Sequence, residues 1–183
     1  GSEVTNIAIL SDPIAQMKKG IVSPCLLPDV AIVAPEMTKT CPPSITAASG
    51  IDAFVHALEA YISVNASPIT DALAEKALKL IFNSLLHAYN NGENLAARED
   101  MATGSLMAGL AFGNAGVGAI HALAYPLGGR FHLSHGMSNA VMLPHVLKVN
   151  APFCQDKLYC VAKLLKVCER HHSKEEAIKL LLV

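Results

Sequence analysis

Tryptophan is absent from this chain of 183 residues, and all aromatic residues together make up only 5% of it. That removes the usual anchors for a membrane interface and the flat platforms on which sugars stack. Charge is scarce too: Asp, Glu, Lys and Arg account for 16%, with a formal net charge of −1. So balanced a chain offers no electrostatic attraction for nucleic acid or for an acidic membrane. No apolar run reaches the roughly 18 residues needed to span a bilayer. The first residues have neither the basic start nor the apolar stretch of a secretory signal, so a cytoplasmic protein is expected. The five cysteines (Cys25, Cys41, Cys154, Cys160, Cys168) form no CxxC pair, and their scatter points to reduced thiols rather than a disulfide framework or a thiolate metal site. Internal repeats and low-complexity segments are missing as well. What the chain does have is apolar bulk: 52% of it is hydrophobic, enough to bury one substantial core at this length.

The pattern changes near residue 40. Val4 to Leu10 and Val30 to Val33 are short runs rich in β-branched residues, bounded by Ser11-Asp12-Pro13 and by Pro35, and are predicted to be strands that pair with each other. Met17-Lys18-Lys19-Gly20 and the prolines at 24 and 28 are predicted turns. From Pro42 onward helical spacing takes over. A first helix is expected to run to about Ser63, either interrupted or split by Gly50. Further helices are expected over 69–90, 95–112, 118–127, 135–149, 153–171 and 174–183. The fold class is therefore mainly α: a helical bundle over residues 41–183 preceded by a two-stranded β segment within residues 1–40. The final apolar run, Ile178 to Val183, has no capping residue, which suggests a domain cut short at its C-terminus.

Asp52 and His56 lie four apart within Gly50-Ile51-Asp52-Ala53-Phe54-Val55-His56-Ala57-Leu58-Glu59, so a helix puts both on one face. On such an apolar helix the carboxylate needs a partner, because an unpaired buried charge costs several kcal/mol. A cation would serve, and so would a hydrogen bond to His56. Gly113 to His121 forms a glycine-lined turn entering a helix that presents His121. Gly128 to Gly136 forms a second loop carrying His132 and His135. Each histidine alone has a plain structural explanation. Together, one carboxylate and three imidazoles make a mixed O/N donor set suited to Fe²⁺ or Zn²⁺ rather than to Ca²⁺ or Mg²⁺. Glu59 is open between orienting a ligand histidine and lying on the surface. His145 is expected to satisfy a backbone group, and His87, His132, His171 and His172 to face solvent. Phe54, Leu123 and Phe131 are expected to keep water from the cluster.

Two stretches carry a resemblance: Gly50 to Glu59, and Gly118-Ala119-Ile120-His121-Ala122-Leu123-Ala124-Tyr125-Pro126-Leu127-Gly128-Gly129 through His135-Gly136-Met137-Ser138-Asn139-Ala140 to Pro144-His145-Val146. In order and spacing, both resemble the iron-containing alcohol dehydrogenases. The resemblance implies a dehydroquinate-synthase-like α domain in which Asp52, His56, His121 and His135 hold a divalent metal, Fe²⁺ or Zn²⁺. It implies hydride transfer between a small alcohol or aldehyde and NAD or NADP, with the metal polarising the substrate oxygen. Gly1-Ser2-Glu3-Val4-Thr5 is similar to the tail of the family's cofactor loop, making Gly1 and Ser2 cofactor-binding candidates and implying a nucleotide-binding domain upstream. Tyr125 stands where many relatives carry a histidine; with an ordinary pKa near 10 it is a catalytic candidate as a hydrogen-bond donor but a poorer proton shuttle. Self-association into a homo-oligomer is compatible with this reading. Three others stand beside it: a zinc-dependent glycerol-dehydrogenase-like enzyme, a metal-dependent hydrolase, and a non-enzymatic helical scaffold. The fourth donor, His56, favours the iron type.

Overall fold

The computed structural model describes residues 1–12, 14 and 17–182. Its regular elements are two strands, β1 (Ile7–Asp12) and β2 (Met17–Val22), and seven helices: α1 (Pro43–Ile62), α2 (Pro68–Asn90), α3 (Leu95–Ala115), α4 (Ala119–Phe131), α5 (His135–Asn150), α6 (Gln155–Leu164) and α7 (Lys174–Leu181). The fold is mainly α, with a short β segment in front, as the sequence pattern predicts.

The partner of the first strand differs from expectation. β1 pairs with β2 in an antiparallel hairpin, Ile7 opposite Val22 and Asp12 opposite Met17. Met17 to Gly20 is therefore strand and not turn, and Val30 to Val33 is not strand. The reversal at Asp12 decides this. Its carboxylate accepts from the Ile14 N–H at 3.0 Å and from Lys19 Nζ at 2.6 Å, so the chain doubles back and fills the ladder locally. Val30 and Ile32 take no part in the ladder and remain exposed. Pro13, a predicted boundary of the first strand, lies outside the described residues, as does Val183 at the predicted end of the last helix.

Helices α1, α2 and α3 form the centre of the core, which is built largely from small residues: Ala53, Ala57, Ala60, Ala74, Ala77, Ala108 and Ala111 pack with Leu58, Leu78 and Ile81. α1 runs unbroken through Gly50. A Cβ at that position would overlap the Leu85 side chain of α2, so the glycine lets two helices approach and does not mark a break. Helix starts follow elementary capping rules. Ser67 and Thr70 form a reciprocal capping box with Pro68 at the first helical position, and Asn94 accepts from the Ala97 N–H. α3 continues to Ala115 and is closed by Gly116 at φ +79°, a left-handed value natural to glycine. α4 extends past the predicted end at Leu127 and stops at His132, itself left-handed. α6 ends at Leu164, well short of the expected His171, where Lys166 turns the chain with φ +56°.

α1, α4 and α5 meet along the side of α1 that carries Asp52 and His56. α5 is brought in by Gly136, whose absent Cβ would overlap the Ala48 carbonyl of α1. Backbone rests on backbone there, and neither side can yield cheaply. Gly136→Ala is expected to lower the free energy of unfolding by about 1–3 kcal/mol, the usual penalty for overpacking. Gly113→Ala, where a Cβ would meet Thr5 Cγ2 at an ordinary 3.6 Å, is expected to leave stability unchanged or raise it by up to about 1 kcal/mol through helix propensity. Urea unfolding of the two variants measures the contrast.

Candidate metal centre

Asp52 and His56 project from the middle of α1, His121 from the first turn of α4 and His135 from the first residue of α5. Asp52, His56 and His121 each offer one ligand atom, all within 4.8 Å of one another. His121 Nε2 stands 3.5 Å from Asp52 Oδ1, and His56 Nδ1 stands 3.8 Å from Asp52 Oδ2. His135 approaches from the Asp52 side, its Nε2 3.4 Å from Asp52 Oδ1. The three sequence-predicted histidines thus all approach the Asp52 carboxylate, with His135 outside the tightest group of donor atoms.

Glu59 holds the arrangement from behind. It is 3% exposed, which resolves the question left open by its sequence context. Oε1 accepts the Ile120 N–H at 2.7 Å, and Oε2 pairs with His121 Nδ1 at 2.6 Å. A proton on Nδ1 leaves the Nε2 lone pair aimed at Asp52, the tautomer a metal ligand requires. Aromatic rings close the other sides. Phe112 of α3 stacks on His56 with ring centroids 4.2 Å apart, His56 stacks on His121 at 4.2 Å, and Tyr125 lies nearly parallel to His135 at 5.7 Å.

Burial opposes charge at every one of these groups. At Asp52 it is outweighed by the hydrogen bond to His121 and by the nearby imidazoles, so the carboxyl sits below its ordinary range. His56 is pushed down to about 3 by burial, which Asp52 offsets only in part. His135 is lowered for the same reason. Burial pulls His121 down as well, yet Asp52 and Glu59 together hold it above its usual value. Burial thus favours the neutral form of His56 and His135, and the surrounding imidazoles favour the ionised form of Asp52. Burial and the charges of Asp52 and Glu59 raise the Tyr125 phenol, which stays protonated.

The residues present fit a divalent ion. One carboxylate and imidazole nitrogens with available lone pairs are a donor set for a borderline cation, and Asn139 Oδ1 is buried beside them without a partner. The expected water-excluding residues differ. Leu123 and Phe131 are exposed, and Phe54 lines a separate apolar groove of about 910 Å³ that also includes Phe82, Leu86 and Leu143. That groove contains no carboxylate, imidazole or thiol, so the chemistry lies elsewhere. Phe112, read from the sequence only as a helix end, takes the covering role. His145 is exposed rather than tied to the backbone; His87, His132 and His171 are exposed as expected, and half-buried His172 accepts the Glu169 N–H. Ser2 is exposed, while Gly1 packs so closely on α3 that a Cβ there would lie 3.1 Å from Phe112 Cε1. The start of the chain therefore lies one ring away from His56.

Residues 46–182 match the family model described as Fe-containing alcohol dehydrogenase family, C-terminal. The chain belongs to the iron-containing alcohol dehydrogenase family. It is 55% identical over 158 residues to long-chain-alcohol dehydrogenase 1 of Geobacillus thermodenitrificans, covering 86% of this chain and 40% of that relative. To alcohol dehydrogenase 4 of Saccharomyces cerevisiae it is 42% identical over 100% of this chain and 48% of that one. Among solved structures, a 1,3-propanediol oxidoreductase superposes with a TM-score of 0.93 at 42% identity, over 98% of this chain and 47% of the other. An iron-containing alcohol dehydrogenase from Thermococcus thioreducens does so at 0.84 and 33%, over 98% and 46%. The chain spans half or less of the length of these iron-containing alcohol dehydrogenase relatives. No single helix among its described residues is long and apolar enough to cross a membrane.

Glu59 gives the site a test independent of any ligand. Glu59→Leu leaves the Ile120 N–H and the His121 N–H buried without acceptors, each expected to cost about 1–3 kcal/mol. Chemical denaturation is expected to register the loss. Glu75→Leu, which removes the acceptor of a single group, the Tyr61 hydroxyl at 2.8 Å, is expected to cost less.

Proposed function

We propose that this chain is the metal-binding part of a cytoplasmic alcohol dehydrogenase, with Asp52, His56, His121 and His135 as ligands to one Fe²⁺ or Zn²⁺. The observation that carries the reading is the convergence of three imidazoles from three helices on the single carboxylate of Asp52. A structural network would not need three imidazoles on one acceptor, since one hydrogen bond to each carboxylate oxygen satisfies it. A non-enzymatic scaffold would have no use for gathering three imidazoles around one carboxylate. The fourth donor, His56, favours the iron type over a zinc-dependent glycerol-dehydrogenase-like enzyme.

When bound, the divalent ion supplies Lewis acidity toward a substrate oxygen, and a nicotinamide supplies the acceptor or donor of hydride. The chain's own residues do the rest. Glu59 keeps the proton of His121 on Nδ1 and so fixes the ring for coordination. Phe112 covers His56 and limits water on that side. Tyr125 keeps its phenolic proton and orients a small alcohol or aldehyde by donating a hydrogen bond. Gly1 and Ser2, close to Phe112, belong to the loop that meets NAD or NADP. Residues 1–40 form the junction to a nucleotide-binding domain supplied by the longer protein, and residues 41–183 form the helical metal-binding domain. Relatives named for long-chain alcohols and for 1,3-propanediol support an alcohol substrate without fixing its length.

Elemental analysis of protein prepared anaerobically is expected to find about one divalent ion per chain. His121→Ala is expected to abolish it, and His87→Ala, on the exposed face of α2, to leave it unchanged. Equal metal in the two variants would remove His121 from the ligand set. With alcohols and NAD(P)⁺, the isolated chain is expected to give no turnover; steady-state activity from it alone would overturn the assignment of the nucleotide site to another domain.

A further inference from the structure

Asn139 lies on α5 one turn beyond His135 and is 0% exposed. Its Nδ2 is 2.5 Å from Asp52 Oδ1, 3.2 Å from His121 Nε2 and 3.4 Å from His135 Nε2. One carboxamide thus reaches ligand atoms from α1, α4 and α5. Its Oδ1, also buried, has no hydrogen-bond partner. Leaving a buried carbonyl unpaired is destabilising, and a leucine of similar size would avoid that cost while filling the same space. An amide kept here despite it serves its nitrogen end.

We propose that Asn139 is a positioning residue of the metal centre, a role that presupposes the ligand set inferred above. By donating Nδ2–H to Asp52 Oδ1 it fixes the rotation of the carboxylate relative to the imidazoles. Asp52 sits on α1 with a side chain about one-quarter exposed, and the salt-bridge geometry with His56 at 3.8 Å is too loose to hold it. Without the amide the carboxylate keeps only the longer approaches of the three imidazoles, at 3.4–3.8 Å. Because the carboxamide is neutral, it performs this without adding a second negative charge to the ring of donors. Glu59 performs the corresponding task for His121, so the two central ligands are each held by a buried side chain that need not touch the ion.

The test uses Co²⁺ as an optical probe of coordination, bound to the wild type, Asn139→Ala and His121→Ala. The expected result is wild-type binding with a visible ligand-field spectrum, loss of binding in His121→Ala, and in Asn139→Ala an affinity weakened about 10–100-fold with an altered spectrum. Wild-type affinity and an unchanged spectrum in Asn139→Ala would overturn the role of Asn139 while leaving the ligand set standing. Failure of the wild type to bind Co²⁺ or Zn²⁺ would overturn both. Should Asn139→Ala not fold, the ¹⁵N-labelled wild type decides. The Asn139 side-chain amide pair is expected to shift on addition of Zn²⁺, and a pair that does not move overturns the proposal.

Discussion

The buried carboxylate of Glu59 is the interaction on which the site depends. It arises from the same helix as Asp52 and His56, and it captures the start of α4 by two bonds, one to the Ile120 backbone and one to the His121 ring. A helix N-terminus presents unsatisfied N–H groups and a partial positive charge. α4 has no side-chain cap of its own, so a carboxylate from α1 takes that role. The same contact chooses the tautomer of His121. A bond that stabilises the fold thereby sets the chemistry of the side chain beside it, and neither effect can be altered alone.

The remaining geometry follows from helices that pack closely. The three central helices meet through alanines and glycines, leaving little depth between their axes. Side chains as short as Asp52 and Asn139 can then reach across from one helix to another. Around the site itself α1, α4 and α5 share Val55, Ile120 and Val146, and it is the Gly136 contact with the Ala48 carbonyl that brings α5 close enough for Asn139 to reach Asp52.

Much of this was legible in the sequence, for reasons that differ by element. The pairing of Asp52 with His56 follows from helical spacing, and helix starts at Pro43, Ser67 and Asn94 follow from capping chemistry. That His121 and His135 join them is a tertiary fact. No local pattern contains it, and it came from likeness to a family. Gly50 misled because its propensity cost is local while its reason, the approach of Leu85, is thirty-five residues away. Val30 to Val33 misled because β-branched composition favours extended backbone but does not say which segment the first strand pairs with, and the nearer Met17–Val22 took that place. Asn139 was visible as part of a motif, four residues after His135, yet nothing in the sequence says that a neutral amide touches a carboxylate and two imidazoles at once. Phe112 was hidden the same way, while Glu59 stood open between orienting a histidine and lying on the surface; each acts on a residue of another helix.

The contact between Gly136 and the Ala48 carbonyl has a consequence for how the domain can vary. His135 is the next residue in the chain, so its position is registered by main chain against main chain rather than by the shape of intervening side chains. Drift in the surface residues of α5, such as Met137 and Val141, leaves that imidazole where it is. Such a site tolerates divergence around it while permitting almost none at a single atom-sized gap.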